Sequence, residues 1–501
     1  MPKTESLLPD GFRFGVATSA FQIEGGLNGP GEPANNWRRW EQEGRVEPSG
    51  IAVDFWRHPE ELLDRAQAIG CDTFRLGLEW ARVVPERGRV DEAALAHYSA
   101  IIDACLERGL EPMVTLHHFT HPDWLGEEFW LSPDSPRHFA EWAELAVERL
   151  ADRCRLWITF NEPCILAEVQ FVAGVQPPGR RLAWKDTYTA TAHMIAAHVR
   201  AYELIHRRRA DAVVHTNAAV ANVYESDRFL TDILLARSLG VAREDLGAWM
   251  IERRQAYYGA LTPARAIERP LRRFSAATIP VGRLPRPGAR TLSRLRRRRE
   301  DPEGELRAAI EAVYSSPCER TLDVIGIDFY DPVAANHMRL PGRRGAGERA
   351  WQPTADLWDD VVNPPGLVEY ARANLELSAG GKGKPLELWV VENGLCNRVH
   401  NGRSYERLDG WDRPRYLREN LAALVAGLDA GLPIGAYLHW SLVDNYEWGS
   451  YRPRFGIHGV DRERGAKILE TDSMGRDSAC AYRRLIEDLR AGDRSVLNGG
   501  R

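Results

Sequence analysis

Two glutamates stand where apolar runs stop. The stretch LWITFNEPC (156–164) ends by delivering Asn161 and Glu162, and LELWVVENGLC (386–396) ends in the same manner with Glu392 and Asn393. One such ending is explained by loop punctuation, because Asn and Pro mark turns. Two matched endings ask for chemistry, although each glutamate taken alone would serve equally well as a surface or capping carboxylate. A pair of facing carboxyls suits cleavage of an acetal: one protonates the departing oxygen while the other attacks the carbon or activates water. A gap of about 5 Å fits a covalent intermediate and retention, and roughly 6.5–9.5 Å fits inversion.

Elements that could position such a pair are visible. Short apolar or β-branched runs recur eight times: FRFGVAT (12–18), DTFRLGL (72–78), EPMVTLH (111–117), RLWITF (155–160), AVVHTNAAV (212–220), LDVIGIDFY (322–330), LELWVV (386–391) and IGAYLHW (434–440). Helical spacing fills most gaps, as in PEELLDRAQAIG before the second run and PRYLRENLAALVAGLDAG before the eighth, with Gly at several helix ends. Strands apolar on both faces and alternating with helices imply a parallel sheet covered by helices. Eight units favour a single α/β domain over residues 1–501, a (β/α)8 TIM barrel with enlarged βα loops, and no Gly-rich dinucleotide fingerprint follows the first strand. Glu162 and Glu392 would then follow strands four and seven on the face where strands end, and their side chains would converge across the barrel mouth.

A bare barrel needs about 250 residues. The surplus is expected in loops, above all an atypical insertion at 221–320 between strands five and six and a Gly- and Arg-rich loop near 331–365. The insertion carries an Arg- and Pro-rich run, RPLRRFSAATIPVGRLPRPGARTLSRLRRRRED, which reads either as a polyanion site or as a solvated face; the net charge favours the second. Across 501 residues, 66 Lys and Arg stand against 71 Asp and Glu, a net charge of −5, so no general pull toward nucleic acid or anionic membrane is expected. Seven scattered cysteines without C-x-x-C spacing, together with a start that lacks signal-peptide character and no bilayer-length apolar run, point to reduced thiols in a cytoplasmic protein. Sixteen tryptophans offer flat apolar faces suited to sugar rings as well as to a core.

Several motifs together resemble glycoside hydrolase family 1, the retaining β-glucosidase family. TFNEP with Glu162 and VENG with Glu392 look like its acid/base and nucleophile motifs. FRFGVATSAFQIEGG (12–26), FRLGLEWARVVP (74–85), PMVTLHHFTHPDWL (112–125), GVQPPG (174–179) and HWSLVDNYEWGSYRPRFGIHGVD (439–461) match further family signatures in order. The resemblance implies that Glu392 is the nucleophile and Glu162 the acid that later becomes the base. It also implies that Arg75 lies beside the nucleophile, that Tyr330 hydrogen-bonds it, and that Asn161 holds the sugar 2-hydroxyl. Gln22, His118, Asn161, Trp440, Glu447 and Trp448 are similar to the residues that bind the non-reducing sugar, with Trp440 as an apolar floor and Trp448 as an indole donor; core packing is the other role open to either tryptophan. Glu447 and Trp448 imply unphosphorylated glycosides, since family members that take 6-phosphorylated sugars replace this pair.

The expected activity is a retaining β-glycosidase with no cofactor and no metal, acting on a small glycoside or oligosaccharide. The alternatives are a transglycosylase of the same family and a sugar-binding protein without catalysis. A zinc hydrolase built on His117, His118 and His121 is disfavoured, because successive strand residues point to opposite faces. The preferred sugar (glucose, galactose or fucose), the leaving group and the oligomeric state stay open. Two positions depart from the family pattern: Asp328 and Phe329 in GIDFY stand where Asn and Tyr are usual. An added carboxylate there could raise neighbouring acids or alter sugar contacts, or be simple drift. The segment 221–320 also lacks the family's usual landmarks, which leaves the leaving-group side undefined.

Overall fold

Alternation along the strands builds a barrel with two apolar faces. The computed structural model of the chain describes residues 7–221, 223–261, 303–330, 362–400, 403–407 and 409–498. Its parallel strands are β1 (Arg13–Ala17), β2 (Thr73–Gly77), β3 (Glu111–Thr115), β4 (Leu156–Ile158), β5 (Val213–His215), β6 (Asn217–Ala219), β7 (Ile325–Asp328) and β8 (Leu388–Glu392). After β8 come a small hairpin, β9 (Asn397–His400) with β10 (Arg403–Ser404), and then the last barrel strand, β11 (Ile434–Trp440). The sheet order β5-β4-β3-β2-β1-β11-β8-β7-β6 runs around the barrel.

The fifth barrel position closes the ring. The run 212–220, read in sequence as one strand, is broken at Thr216: β5 pairs with β4, and β6 pairs with β7. The Thr216 hydroxyl donates to the Phe160 carbonyl at 2.8 Å, which ties the break to the end of the fourth position. Eight positions are thus occupied, as the eight apolar runs imply, and each run contains its strand except the seventh, whose strand β8 extends one residue further to Glu392.

Outward side chains, among them Phe14, Val16, Phe74, Leu76, Val114, Trp157, Ile325, Ile327, Leu388 and Val390, belong to the large core shared with the helices. Inward ones, Ala17, Met113, Leu156, Ile158, Trp389, Val391, Ala436, Leu438 and Trp440, form a second core inside the barrel. This two-faced burial is why strand residues of both parities are apolar. Among the covering helices, Pro59–Ile69 ends at Gly70 with φ 87°, the left-handed cap that its sequence suggests. Helices also precede β7 (Arg307–Ser315) and β8 (Pro364–Ser378).

Within the 221–320 segment, the helices Phe229–Leu235 and Leu246–Ala260 are described, while 262–302, including the Arg- and Pro-rich run, lies outside the described residues. So does 331–361, which holds nearly all of the Gly- and Arg-rich loop. All seven cysteines are free, and Cys71, Cys105, Cys154, Cys164 and Cys396 are buried. Among the described residues, no helix is long and apolar enough to cross a membrane.

Candidate active site

Three strand ends bring three carboxyls to one point. One oxygen from each of Glu162, Asp328 and Glu392 lies within 4.8 Å of the other two at the C-terminal mouth of the barrel. Asp328 and Glu392 are buried, whereas Glu162 is partly exposed toward the mouth.

Local backbone features aim these side chains. Along β8, Trp389 and Val391 point inward, so strict alternation would turn Glu392 outward. The ladder with β7 slips instead: Ile327 pairs with Val390 and Asp328 with Glu392, leaving Val391 as an extra residue. Such a bulge re-aims the following side chain, and here it turns Glu392 into the mouth beside Asp328. Asn393 points the other way, donating to the Phe329 carbonyl at 2.6 Å and accepting from the Tyr437 hydroxyl at 2.7 Å. Gly394 must be glycine, since a Cβ there would stand 1.9 Å from the Trp440 carbonyl oxygen. Glu162 has φ 41° and precedes the helix Pro163–Phe171, a left-handed conformation costly for a non-glycine residue and typical of functional sites.

Arg75, fully buried on β2, organises the centre. It donates to Glu392 Oε1 at 2.5 Å, to Asn161 Oδ1 at 2.6 Å and to Thr115 Oγ1 at 3.1 Å, and it lies 3.4 Å from His118 Nδ1. Tyr330 donates to the other Glu392 oxygen, Oε2, at 2.6 Å. Asn161 Oδ1 also accepts from Asn217 Nδ2 at 2.7 Å, and Asn217 donates as well to Asp328 Oδ2. An oxygen of Asp328 lies within 4.8 Å of an oxygen of Glu162, and Asp328 Oδ1 meets no N–H or O–H donor among the described residues.

The electrostatics separate the three acids. Burial raises Glu392 above the ordinary carboxylate range, but Arg75 and the Tyr330 hydroxyl pull it back. Burial and the charge of Glu392 raise Glu162, with the Asp328 carboxyl opposing. Asp328 is held well above its usual value by burial and by both glutamates. Only Glu392 touches a cation, so it is the group favoured to ionise first.

The residues expected on the sugar side also assemble. Gln22, on the short helix Ala20–Ile23 after β1, donates to Glu447 Oε2 at 3.1 Å and to Asn445 Oδ1 at 3.2 Å. The Trp440 indole donates to Glu447 Oε1 at 3.2 Å. Burial pushes Glu447 up to about 8. His118 stacks between Trp440 and Trp448, with ring centroids 5.8 and 5.6 Å away, and burial keeps it neutral. Trp448 is half-buried against Phe119 and Trp37.

All ten residues singled out in sequence therefore lie in one connected site. The histidine metal reading is not assembled: His118 faces the mouth, while His117 is buried among Trp130, Phe139 and Phe160. Among the described residues, the convergent metal-type donors are Glu162, Asp328 and Glu392, and protein groups already engage both oxygens of Glu392 and one of Asp328. Phe329, the other departure from the family pattern, points away from the site and packs on Tyr370 at 6.0 Å. Sequence reasoning missed Asn217 and Asn445. The one detectable signal for Asn217 was a polar residue inside the apolar run AVVHTNAAV.

A parallel barrel with two opposed carboxyls at its C-terminal mouth defines a carboxylate glycosidase. The model of the glycosyl hydrolase family 1 matches residues 4–252 and 315–490, and its interruption falls within the atypical 221–320 segment. The chain belongs to glycosyl hydrolase family 1. It is 27% identical over 504 residues to beta-glucosidase 40 of Arabidopsis thaliana, covering 93% of this chain and 91% of that protein. It is 27% identical over 500 residues to a 1,4-beta-D-glucan glucohydrolase of Thermotoga neapolitana, covering 96% and 98%. Its fold is similar to that of a beta-glucosidase from Thermotoga maritima in complex with castanospermine, with a TM-score of 0.67, 24% identity and coverage of 96% and 98%.

Proposed function

We propose that the protein is a retaining β-glycosidase that hydrolyses unphosphorylated β-glycosides by double displacement. The observation that carries this reading is the separation of the Glu162 and Glu392 oxygens, within 4.8 Å, which fits the short gap of retaining enzymes of about 5–5.5 Å rather than the wide inverting one. A Glu392 oxygen attacks the anomeric carbon as Glu162 passes its proton to the leaving oxygen. The aglycone departs as an alcohol and leaves a glycosyl ester on Glu392. Esterification removes the negative charge of Glu392, so Glu162 can remain ionised. Glu162 then takes a proton from water, the hydroxide oxygen bonds the anomeric carbon, and the Glu392 carboxylate is released.

Asn161, oriented by Arg75 and Asn217, is the group we assign to the sugar 2-hydroxyl; Gln22, His118 and Glu447 take the outer hydroxyls over the Trp440 floor, with Trp448 at the rim. A 6-phosphate would meet no cation among Gln22, Trp440, Asn445 and Glu447, and it would have to hold Glu447 protonated. Similarity to beta-glucosidases supports glucosides as the first substrates to try. The barrel is read as one catalytic domain whose 221–320 segment shapes the leaving-group side, supported by the interruption of the family match there. Seven free thiols support a reducing compartment, the cytoplasm.

The decisive experiment replaces Glu392 with Ala and follows an activated aryl β-glucoside. Hydrolysis is abolished, azide or formate restores cleavage of the aryl glycoside (azide leaving as the α-glycosyl azide), and proton NMR of the wild-type reaction shows the β-anomer formed first. Full activity in the variant, or a first-formed α-anomer, overturns the reading.

A further inference from the structure

Asp328 is the residue at which this site departs from its family, and it lies against the acid/base. Its carboxyl is fully buried, accepts from Asn217 through Oδ2, and carries an oxygen within 4.8 Å of a Glu162 oxygen. Two carboxylates this close, with no cation bonded to either among the described residues, repel each other if both are ionised, and neither has a donor for the other without a proton. The approach therefore favours a proton between them. Arg75 cannot replace that proton, being committed to Glu392, Asn161 and Thr115.

We propose that Asp328 is a positioning residue that keeps its own proton and donates it to Glu162, so that the carboxylate formed when Glu162 protonates the leaving group is held by a carboxylic acid. This rests on the reading of Glu162 as acid/base and deepens it. At rest the pair holds two protons, and Glu392 is ionised beside Arg75. When the C–O bond breaks, one proton passes from Glu162 to the departing oxygen and Glu392 becomes an ester. The negative charge has then moved from Glu392 to the pair, where the Asp328 O–H supports it. Attack by water returns one proton to Glu162 and restores the Glu392 carboxylate.

The charged and titratable groups acting on the pair are Arg75 from β2, Tyr330 after β7, Glu392 on β8 and Glu447 after β11, while His118 lies 3.4 Å from Arg75 and His215 on β5 stands against Gly326 of β7. Burial keeps both histidines neutral. Burial and the nearby glutamates hold Asp328 well above its usual value, and the Asp328 carboxyl favours the ionised form of Glu162.

The test is Asp328→Asn, a swap of near-equal size that restores the family's usual residue. An O–H donor to a carboxylate is stronger than an N–H donor, so the variant loses part of the support for ionised Glu162. The alkaline limb of kcat/KM on an alkyl β-glucoside moves up by roughly half to one pH unit. Turnover of that substrate falls several-fold, while kcat/KM on a 2,4-dinitrophenyl glycoside, whose departure needs no proton, falls clearly less. A limb that moves down shows that Asp328 was ionised and overturns the proposal, and an unmoved limb does so too. A measurement on the wild-type protein needs no variant and no turnover. With 13C-labelled aspartate, an infrared band of a protonated aspartic acid persists at pH values above the alkaline limb. Its disappearance at or below that limb refutes the shared proton. Its persistence in a protein without glycosidase activity would refute the functional reading alone.

Discussion

Arg75 and Glu392 form an ion pair of 2.5 Å in which the guanidinium is fully buried and the carboxylate nearly so. The same guanidinium orients Asn161, so one side chain holds both the proposed nucleophile and the residue proposed to meet the sugar 2-hydroxyl. Such a pair is expensive to break from one side, since the remaining charge stays buried.

Arg75→Met should therefore lose stability and activity together. Breaking a buried pair costs about 3–5 kcal/mol, read by urea denaturation, and a barrier increase of the same size lowers kcat/KM about 10²- to 10³-fold or more. The acidic limb of kcat/KM should move to higher pH, because Arg75 is the strongest influence opposing burial at Glu392. A limb that stays in place would show that the arginine does not tune the nucleophile.

Tyr330→Phe removes one donor to Glu392 Oε2, at 2.6 Å, and leaves the ring against Phe455. A hydrogen bond to a charged group contributes about 1.5–3 kcal/mol, so turnover should fall about 10- to 150-fold. Thermal stability should hardly change, which a melting curve beside the kinetic assay would establish.

Asn217→Ala tests a residue that sequence reasoning did not find. Asn217 donates to both Asn161 and Asp328, so its loss leaves two buried acceptors short of a partner. The expected loss is about tenfold in kcat/KM, with most of the effect vanishing on a 2-deoxyglycoside that cannot use Asn161. An equal loss on both substrates would assign Asn217 a packing role.

The reasons some features were legible and others not are physical. Strand-ending motifs carry Glu162 and Glu392 in the local sequence, and the eight apolar runs register burial on both barrel faces. The aim of Glu392 was hidden, because it depends on a register slip between β7 and β8 that no single-strand pattern reveals. Asn217 was hidden for a related reason: its partners lie 56 and 111 residues away in the chain. Asp328 was visible as a departure from the family, but its contact with Glu162 exists only once β4 and β7 face one mouth. The break at Thr216 likewise reflects ring closure, a property of the whole sheet.

Glu447→Gln examines the end of the site proposed to hold the sugar. Glu447 accepts from both Trp440 and Gln22, and an amide has only one acceptor oxygen for two donors. A site built to hydrogen-bond hydroxyls loses heavily when a buried polar group is mispaired, so kcat/KM on a glucoside should fall about 100-fold or more. Turnover of the same aryl 6-phosphoglycoside should be negligible in the wild-type protein. Comparable rates on the two substrates would contradict the assignment of Glu447 to the sugar's outer hydroxyls.

Stability should peak in the mildly acidic to neutral range and fall above it. Glu447 is pushed by burial to about 8, and Glu79 and Glu168 to about 7. A carboxyl whose folded value is raised binds more protons folded than unfolded between the two values. Its stabilising contribution is complete below the unfolded value and lost as pH rises through the folded one. Buried histidines act in the opposite sense: burial takes His198 down to about 4 and His215 to about 3, so their contribution grows as pH rises toward the unfolded value of about 6.5. Above about 6.5 the histidine effect is exhausted and the carboxyl effect acts alone, worth at most about 1.4 kcal/mol per pH unit for each group still protonated. Urea denaturation at a series of pH values should show stability declining from about 6.5 to beyond 8, with a shallower slope in Glu168→Gln. A flat or rising profile across that window would mean that these buried carboxyls are already ionised in the folded protein.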